Sequence, residues 1–283
     1  MHYNEITVGI VTFKSENVIF NCLKNIKKIN KIIVFDNSND KPLKNKILKQ
    51  YPNIKVILSK KNLGYGVANN KIINKSKTPY VLIINPDVSL EKNCELNLLK
   101  SIKKLKNNFA IISPQSINYK NFGYFGKETF SKKKILKVDF VVGFAMLINK
   151  KKFKNIGMFD ENIFLYQEEF DLCKRLKLAN EKVFINKDSK VTHLGAKSTN
   201  IGFEFDKCRN WHFMWSQVYF DKKYSNIFKV YFKFTIILLL QVLKIFFYSI
   251  ILNKKEVLKK SMRFSGTLNS LLGRKSWYRP KII

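Results

Sequence analysis

The sequence predicts an α/β fold: a mostly parallel central sheet flanked by helices, followed by a helical tail. Three observations predict it. Apolar β-branched runs alternate with segments of helical spacing in the order β-α-β-α-β-α-β up to residue 84. Two of those runs end on Asp36 and the turn carrying Asp87, where open parallel sheets bind their ligands. The chain has 283 residues, 46% of them hydrophobic, enough to bury the core of one large domain or two small ones.

Ile6 to Phe13 reads as a buried strand with Gly9 inside it. Val18 to Ile29 has helical spacing, and Lys31 to Phe35 is a second strand running into Asp36-Asn37-Ser38-Asn39-Asp40. Leu43 to Tyr51 is a short helix, Ile54 to Leu58 a third strand, and Lys60 to Asn70 a glycine-containing loop that leads into a helix over Val67 to Lys75. Tyr80 to Ile84 is the fourth strand, closed by Asn85-Pro86-Asp87. Beyond Glu91 the pattern loosens. Leu96 to Leu105 reads as a helix, Phe109 to Ser113 as a strand and Lys120 to Lys137 as a basic irregular region. Val138 to Ile148 is an apolar strand interrupted by Gly143. A helix starts near Glu168, because Leu172, Leu176 and Ala179 follow at helical spacing. Two short strands, Lys182 to Ile185 and Lys190 to Thr192, precede a loop over Leu194 to Phe205 and an aromatic-rich helix over Lys207 to Tyr224.

The formal charge is +33, and lysine carries nearly all of it. Such a charge implies acidic partners: nucleic acid, anionic lipid or phosphorylated substrates. A lysine-biased genome would also load every solvated face with lysine. The four cysteines are scattered without a C-x-x-C pair, which fits a reduced, cytoplasmic chain and offers no zinc signature. The N-terminus carries no signal-peptide pattern.

Ile227 to Leu252 is apolar and about as long as a bilayer is thick. Lys229, Lys233, Gln241 and Lys244 interrupt it, and at helical spacing they fall in one narrow arc beside Asn226 and Tyr248. A one-sided polar stripe predicts a helix lying in the membrane interface, with the basic segment from Lys254 to Arg263 drawn to anionic lipid. A buried helix with one solvated edge is the plainer alternative.

Four features could carry chemistry. Glu168, Glu169 and Asp171 cluster at a helix start in a chain where basic residues outnumber acidic ones 53 to 20. An ionised carboxylate there can act as a base, bind a metal or simply cap the helix. Asn62-Leu63-Gly64-Tyr65-Gly66 is not a dinucleotide fingerprint, because it follows the third strand and Asn69 replaces the last glycine. A glycine loop opening a helix still suits a phosphate or a sugar. Asp87 at a strand end suits a hard divalent cation. His193, one of three histidines, stands at another strand end downstream of the carboxylates.

In this order the blocks resemble the inverting glycosyltransferases of family 2 with the GT-A fold, most closely the bacterial rhamnosyltransferase-like branch. Ile10-Val11-Thr12-Phe13 with Val34-Phe35-Asp36-Asn37-Ser38 is similar to that family's opening, Asn62 to Asn69 to its N-x-G-x-[GA] loop, and Asn85-Pro86-Asp87 to its D-x-D position. Gly157-Met158-Phe159-Asp160-Glu161 through Asp171-Leu172-Cys173-Lys174-Arg175 is similar to its G-x-F-D-E…E-D-x-D-L-x-x-R block. The match runs from about residue 5 to 225. It implies a domain over 1–225, with a nucleotide-sugar half (1–90) and an acceptor half (91–225); residues 226–283 beyond it are expected, from their apolar stripe and lysines, to form a membrane-associating tail.

The resemblance implies roles by position. Thr12, Phe13 and Asp36 would hold the nucleoside, and Asn62, Gly64, Asn69 and Asn85 would line the donor site. Asp87, with His193 as a further ligand, would bind Mg2+ or Mn2+ on the diphosphate. Glu169 would deprotonate the acceptor hydroxyl. Two departures stand out. The family's E-D pair reads Glu168-Glu169, so Glu168 or Asp171 could share the base role. The first acidic position of D-x-D is Asn85, which leaves Asp87 as the only carboxylate there. Asp36 suits a pyrimidine imide N–H, so a UDP- or dTDP-sugar is expected. The partners implied are a nucleotide diphosphate sugar, a polyprenyl-diphosphate-linked or surface glycan acceptor and the inner face of a bacterial membrane, with no nucleic acid. Two rivals come from other classes: a basic nucleic-acid-binding protein and a glycan-binding protein without turnover.

Overall fold

A computed structural model of the chain describes residues 2–126, 131–195 and 202–280. The loop expected over Leu194 to Phe205 and the basic region over Lys120 to Lys137 therefore lie partly outside the described residues. The chain divides into two compact units: Met1–Asp160 with Glu169–Asn200, and Glu161–Glu168 with Ile201–Ile283.

The first unit is built on the expected strands: β1 (Ile6–Thr12), β2 (Ile32–Asp36), β3 (Lys55–Leu58) and β4 (Tyr80–Ile84). They pair in parallel in the order β3-β2-β1-β4, joined by α1 (Glu16–Lys24), α2 (Lys41–Gln50) and α3 (Tyr65–Lys75). Helix α2 starts where Asp40 accepts a hydrogen bond from the Leu43 amide, 2.9 Å, with Pro42 in its first turn. Strand residues alternate between the two faces of the sheet. Ile6, Val8, Ile10, Leu82 and Ile84 join one core layer with Ile19, Leu23, Leu43 and Ile47. Val81 and Ile83 join the other with Ala68, Ile72 and Ile73 of α3. Gly9 is the point where α3 touches β1, because a Cβ there would lie 2.6 Å from Ile72 Cγ2.

Past β4 the sheet is mixed rather than parallel. It continues through β5 (Val88–Leu90), β6 (Ile111–Ser116), β8 (Ile135–Val138), β10 (Ala145–Asn149) and β11 (Val183–His193), with α4 (Cys94–Leu105), α5 (Lys150–Asn155) and α6 (Glu168–Leu178) around it. Strand β10 inserts antiparallel between β4 and β6, while β11 runs parallel to β6 and antiparallel to β5 and β8. The two short strands expected at 182–192 are one strand with a register shift between Asn186 and Lys190. The single strand expected over 138–148 is broken. Val142, Gly143 and Phe144 separate β9 (Phe140–Val141) from β10, and β9 pairs with β7 (Phe122–Gly123) in a separate ribbon.

The second unit consists of Glu161–Glu168 and three helices: α7 (Gly202–Tyr224), α8 (Ile227–Ile250) and α9 (Lys254–Leu271). Helix α7, assigned from sequence to the domain ending at 225, groups with the tail. The reason is close packing: a Cβ at Gly266 of α9 would lie 2.2 Å from the Trp211 carbonyl of α7. Met214, Val218, Val230, Phe234 and Leu271 form this unit's apolar centre. His212 is buried there against Phe164 and Trp211, and burial pushes its pKa down to about 3, so the ring is neutral. The apolar stretch expected to end at Leu252 gives way to a new helix over the basic segment, which Asn253 starts by accepting from the Glu256 amide, 3.1 Å.

Candidate functional site

The site is built at the carboxyl ends of β1, β2 and β4 and at the break beside Gly143, all within the first unit. At the end of β2, Asp36 is 1% exposed and fully engaged. It accepts from Thr12 Oγ1 (2.9 Å), Ser38 Oγ (2.7 Å) and the backbone amides of Ser38 (3.2 Å) and Asp40 (2.8 Å). Four donors fill the lone-pair sites of one carboxylate. Neighbouring Asn37 reaches across to the glycine loop. Its amide group donates to the Gly64 carbonyl (3.1 Å) and its oxygen accepts from the Leu63 amide (3.2 Å).

In that loop Asn62 accepts from the Gly64 amide, 2.9 Å, and Gly64, at φ +83°, sits just before α3. Phe13 and Asn69 are buried, and Asn69 donates to the Tyr65 carbonyl, 3.1 Å. Asn70 grips the backbone of Phe159 from both sides, donating to its carbonyl (3.0 Å) and accepting from its amide (3.1 Å).

At the end of β4 the chemistry is opposite. Asn85 uses its backbone amide to reach the Phe144 carbonyl, 2.8 Å. Asp87 is 3% exposed, yet neither of its carboxylate oxygens accepts a hydrogen bond. His193 Nε2 stands 3.3 Å from Asp87 Oδ1. Strand β5 creates this pair, because it hydrogen-bonds to the end of β11 with Val88 opposite His193. The other ring nitrogen of His193, Nδ1, is hydrogen-bonded to the Tyr119 hydroxyl, and Phe144 stacks on the imidazole at 4.4 Å. Among the described residues no group of three or more His, Cys, Asp or Glu side chains is arranged to hold a metal ion by itself.

The three carboxylates at the start of α6 separate. Asp171 is 0% exposed and accepts from Arg175 Nε, 2.8 Å. The same guanidinium donates to the carbonyls of Ile156 (2.7 Å) and Met158 (2.6 Å), so it clamps the Gly157 turn. Glu168 is buried. Glu169 is half-buried, with Oε1 3.4 Å from the Gly143 amide, and burial raises its carboxyl pKa. The Gly143 carbonyl in turn accepts from the Tyr65 hydroxyl.

Residues 143 and 144 therefore join four parts of the site: the glycine loop through Tyr65, Glu169 through an amide, the Asp87 turn through Asn85, and His193 through a ring. Sequence reading named Asp36, Asp87, His193 and Glu169 as candidates and did not single out Tyr65, Tyr119, Asn37, Asn70 or Phe144. Only the interruption of an apolar run by Gly143 signalled this junction.

A family model described as "Glycosyl transferase family 2" matches residues 7–184. The chain is 27% identical over 197 residues to the low-salt glycan biosynthesis hexosyltransferase Agl10 of Haloferax volcanii, covering 62% of this chain and 63% of that protein, which is less than two thirds of its length. It is 26% identical over 239 residues to the rhamnosyltransferase WbbL of Escherichia coli, covering 73% of this chain and 89% of that one. Its fold is similar to that of the mannosyltransferase PcManGT of Pyrobaculum calidifontis, solved with GDP-Man and Mn2+. There the TM-score is 0.57 at 10% identity, over 95% of this chain and 87% of the other.

Proposed function

The chain belongs to glycosyl transferase family 2, and from that membership we propose that it moves rhamnose or another hexose from a nucleotide diphosphate donor to a hydroxyl of a surface-glycan acceptor, with inversion at the anomeric carbon. One observation carries the proposal. A buried carboxylate without a hydrogen-bond donor, Asp87, and a half-buried carboxyl of raised pKa, Glu169, are tied to the same two residues, Gly143 and Phe144.

A buried carboxylate left without donors is costly, by about 1–3 kcal/mol or more for a charged group. A divalent cation removes that cost. The donor set, one carboxylate and one imidazole beside it, suits Mn2+ or Mg2+ that takes its remaining ligands from substrate phosphates. Asp87 and His193 would hold it, and bound there it would supply positive charge to the departing diphosphate.

Glu169 then acts as the general base. Burial raises its proton affinity above that of an ordinary glutamate, the direction a general base needs. It takes the proton of the acceptor hydroxyl; that oxygen forms the new bond to the anomeric carbon as the bond to the diphosphate oxygen breaks on the opposite side. Asp171 is committed to Arg175 and holds the turn before α6. With its lone pairs filled, Asp36 shapes the nucleoside pocket through Thr12 and Ser38 rather than contacting the base itself. The loop from Asn62 to Gly64, at the start of α3, offers backbone N–H groups to the donor.

The acceptor proposal rests on α8. Its buried side carries Val230, Phe234 and Gln241. The opposite side exposes Phe228, Phe232, Ile236, Leu239, Leu243, Phe246 and Ile250 in an unbroken apolar face. Gln241, expected on a solvated stripe, is buried, while Lys229, Lys233 and Lys244 are exposed. An apolar face with lysines along its edge fits one leaflet of an anionic membrane, where a polyprenyl-diphosphate glycan would be held. Replacing Leu239, Leu243 and Phe246 with lysine releases the protein from anionic vesicles; sedimentation that persists rules this part out.

The function is tested with a panel of UDP-, dTDP- and GDP-sugars and Mn2+ or Mg2+. Glu169→Gln lowers turnover by about 10²–10⁴-fold, the usual worth of a general base, while donor affinity holds. Turnover unchanged by that substitution sinks the mechanism.

A further inference from the structure

The polar side chain at the rear of His193 has no role in the assignments above. Tyr119 lies in the turn between β6 and β7, far from His193 in sequence. Its hydroxyl is bonded to His193 Nδ1, and its ring packs edge-on against Phe144 at 5.7 Å and 71°. Phe144 covers the flat face of the imidazole, with the two rings 20° from parallel. The imidazole plane is thus fixed by stacking and its rotation about that plane by one hydrogen bond.

The turn that carries Tyr119 is itself held in place. Asn121 closes it, accepting from the Ser116 amide (3.0 Å) and donating to the Pro114 carbonyl (2.9 Å). Ile117 donates its amide to Val191 on β11, 3.0 Å, two residues before His193. Tyr119 is presented to the histidine by a braced loop.

Resting on the reading that Asp87 and His193 hold a divalent cation, we propose that Tyr119 is a positioning residue that partners His193 Nδ1 in either ring tautomer, so that Nε2 can face either Asp87 or a cation. A cation ligand must offer the Nε2 lone pair, so Nδ1 must bear hydrogen and needs an acceptor. The phenolic oxygen is that acceptor. A carbonyl in its place would enforce this tautomer permanently. Then, without a cation, the Nε2 lone pair would face the Asp87 carboxylate, which is repulsive. A hydroxyl both donates and accepts. With no cation bound, the Tyr119 O–H donates to Nδ1, and the hydrogen stands on Nε2, 3.3 Å from Asp87 Oδ1. With a cation bound, the proton stands on Nδ1 and the direction of the hydrogen bond reverses. Tyr119 therefore lets one histidine serve both states without moving its ring.

The test uses the full-length protein with UDP and Mn2+, followed by the electron paramagnetic resonance of free Mn2+, and with Mg2+ for ¹⁵N shifts of the His193 ring. Tyr119→Phe keeps the ring and removes only the hydroxyl. It is expected to weaken Mn2+ binding about 10–100-fold, the usual cost of losing a histidine's outer partner. It also removes the exchange of ring-nitrogen shifts between Nε2–H and Nδ1–H forms that Mg2+ produces in the wild type. In a His193→Ala background the same substitution has no further effect on Mn2+, because its action runs through the histidine. Tyr119→Phe with wild-type Mn2+ affinity and wild-type ring shifts overturns the proposal, and so does an equal loss in the His193→Ala background. A wild-type protein that binds no Mn2+ overturns the cation reading itself, a result distinct from either.

Discussion

Asp36 and Asp87 end strands that lie on either side of β1, and both are almost wholly hidden from solvent. Only their partners differ. Asp36 accepts four hydrogen bonds from its own loop and from Thr12; Asp87 accepts none and faces a histidine. The start of α6 repeats the contrast. Asp171 is paired with an arginine that also clamps a turn, whereas Glu169 meets only backbone amides, its own and that of Gly143, and has a raised pKa. Position in the fold does not separate a structural carboxylate from a reactive one. Saturation does: the proposed cation and base roles fall to the two carboxylates whose lone pairs are least filled.

Substitutions sharpen that contrast. The largest effect is expected at Asp87. Asp87→Asn lowers metal-dependent transfer by about 10²–10³-fold, as loss of a transition-state charge stabiliser does, yet leaves the melting temperature at or above wild type because no hydrogen bond is lost. A large fall in stability would place Asp87 with the scaffolding carboxylates. The opposite is expected of the saturated pair. Arg175→Met removes the charged partner of the buried Asp171 and costs about 3–5 kcal/mol, and Asp36→Asn turns donors against donors for about 1–3 kcal/mol; urea unfolding measures both.

The smallest effect concerns Glu169 and pH. Its folded pKa is raised, so the folded state binds this proton more tightly than the unfolded chain does. Below the ordinary glutamate pKa both states are protonated and the group contributes nothing. As pH rises from there through the folded pKa, stability falls, and the deficit persists at neutral pH. Glu169→Gln therefore raises the melting temperature at pH 7 but not at pH 4. The acid limb of the turnover profile lies above the ordinary carboxylate range for the same reason. An equal melting temperature at both pH values removes the burial argument for the base.

Much of the parallel half was legible. Strands β1 to β4 and their helices follow from apolar runs and helical spacing, and Asp36 and Asp87 mark the strand ends. The mixed half was not. Strand β5 has three residues and no pattern of its own; it exists because β11 supplies its partners, and it is what brings His193 to Asp87. The break at Gly143 hid inside an apolar run, so Phe144 read as core. Hydrogen-bond saturation is likewise invisible in sequence, because the donors that fill Asp36 and the amide that meets Glu169 come from elsewhere in the chain. Tyr119 carried no signal, since its meaning depends on a contact 74 residues away.

The central claim is that Asp87, not Asp36, is the cation-bearing strand end of a family 2 glycosyltransferase. Titration of Mn2+ into the full-length protein with UDP, read by the electron paramagnetic resonance of free metal, tests it most directly. Wild type should bind one Mn2+ that Asp87→Asn loses while its fold is retained. Undiminished Mn2+ binding by a folded Asp87→Asn variant would contradict the account.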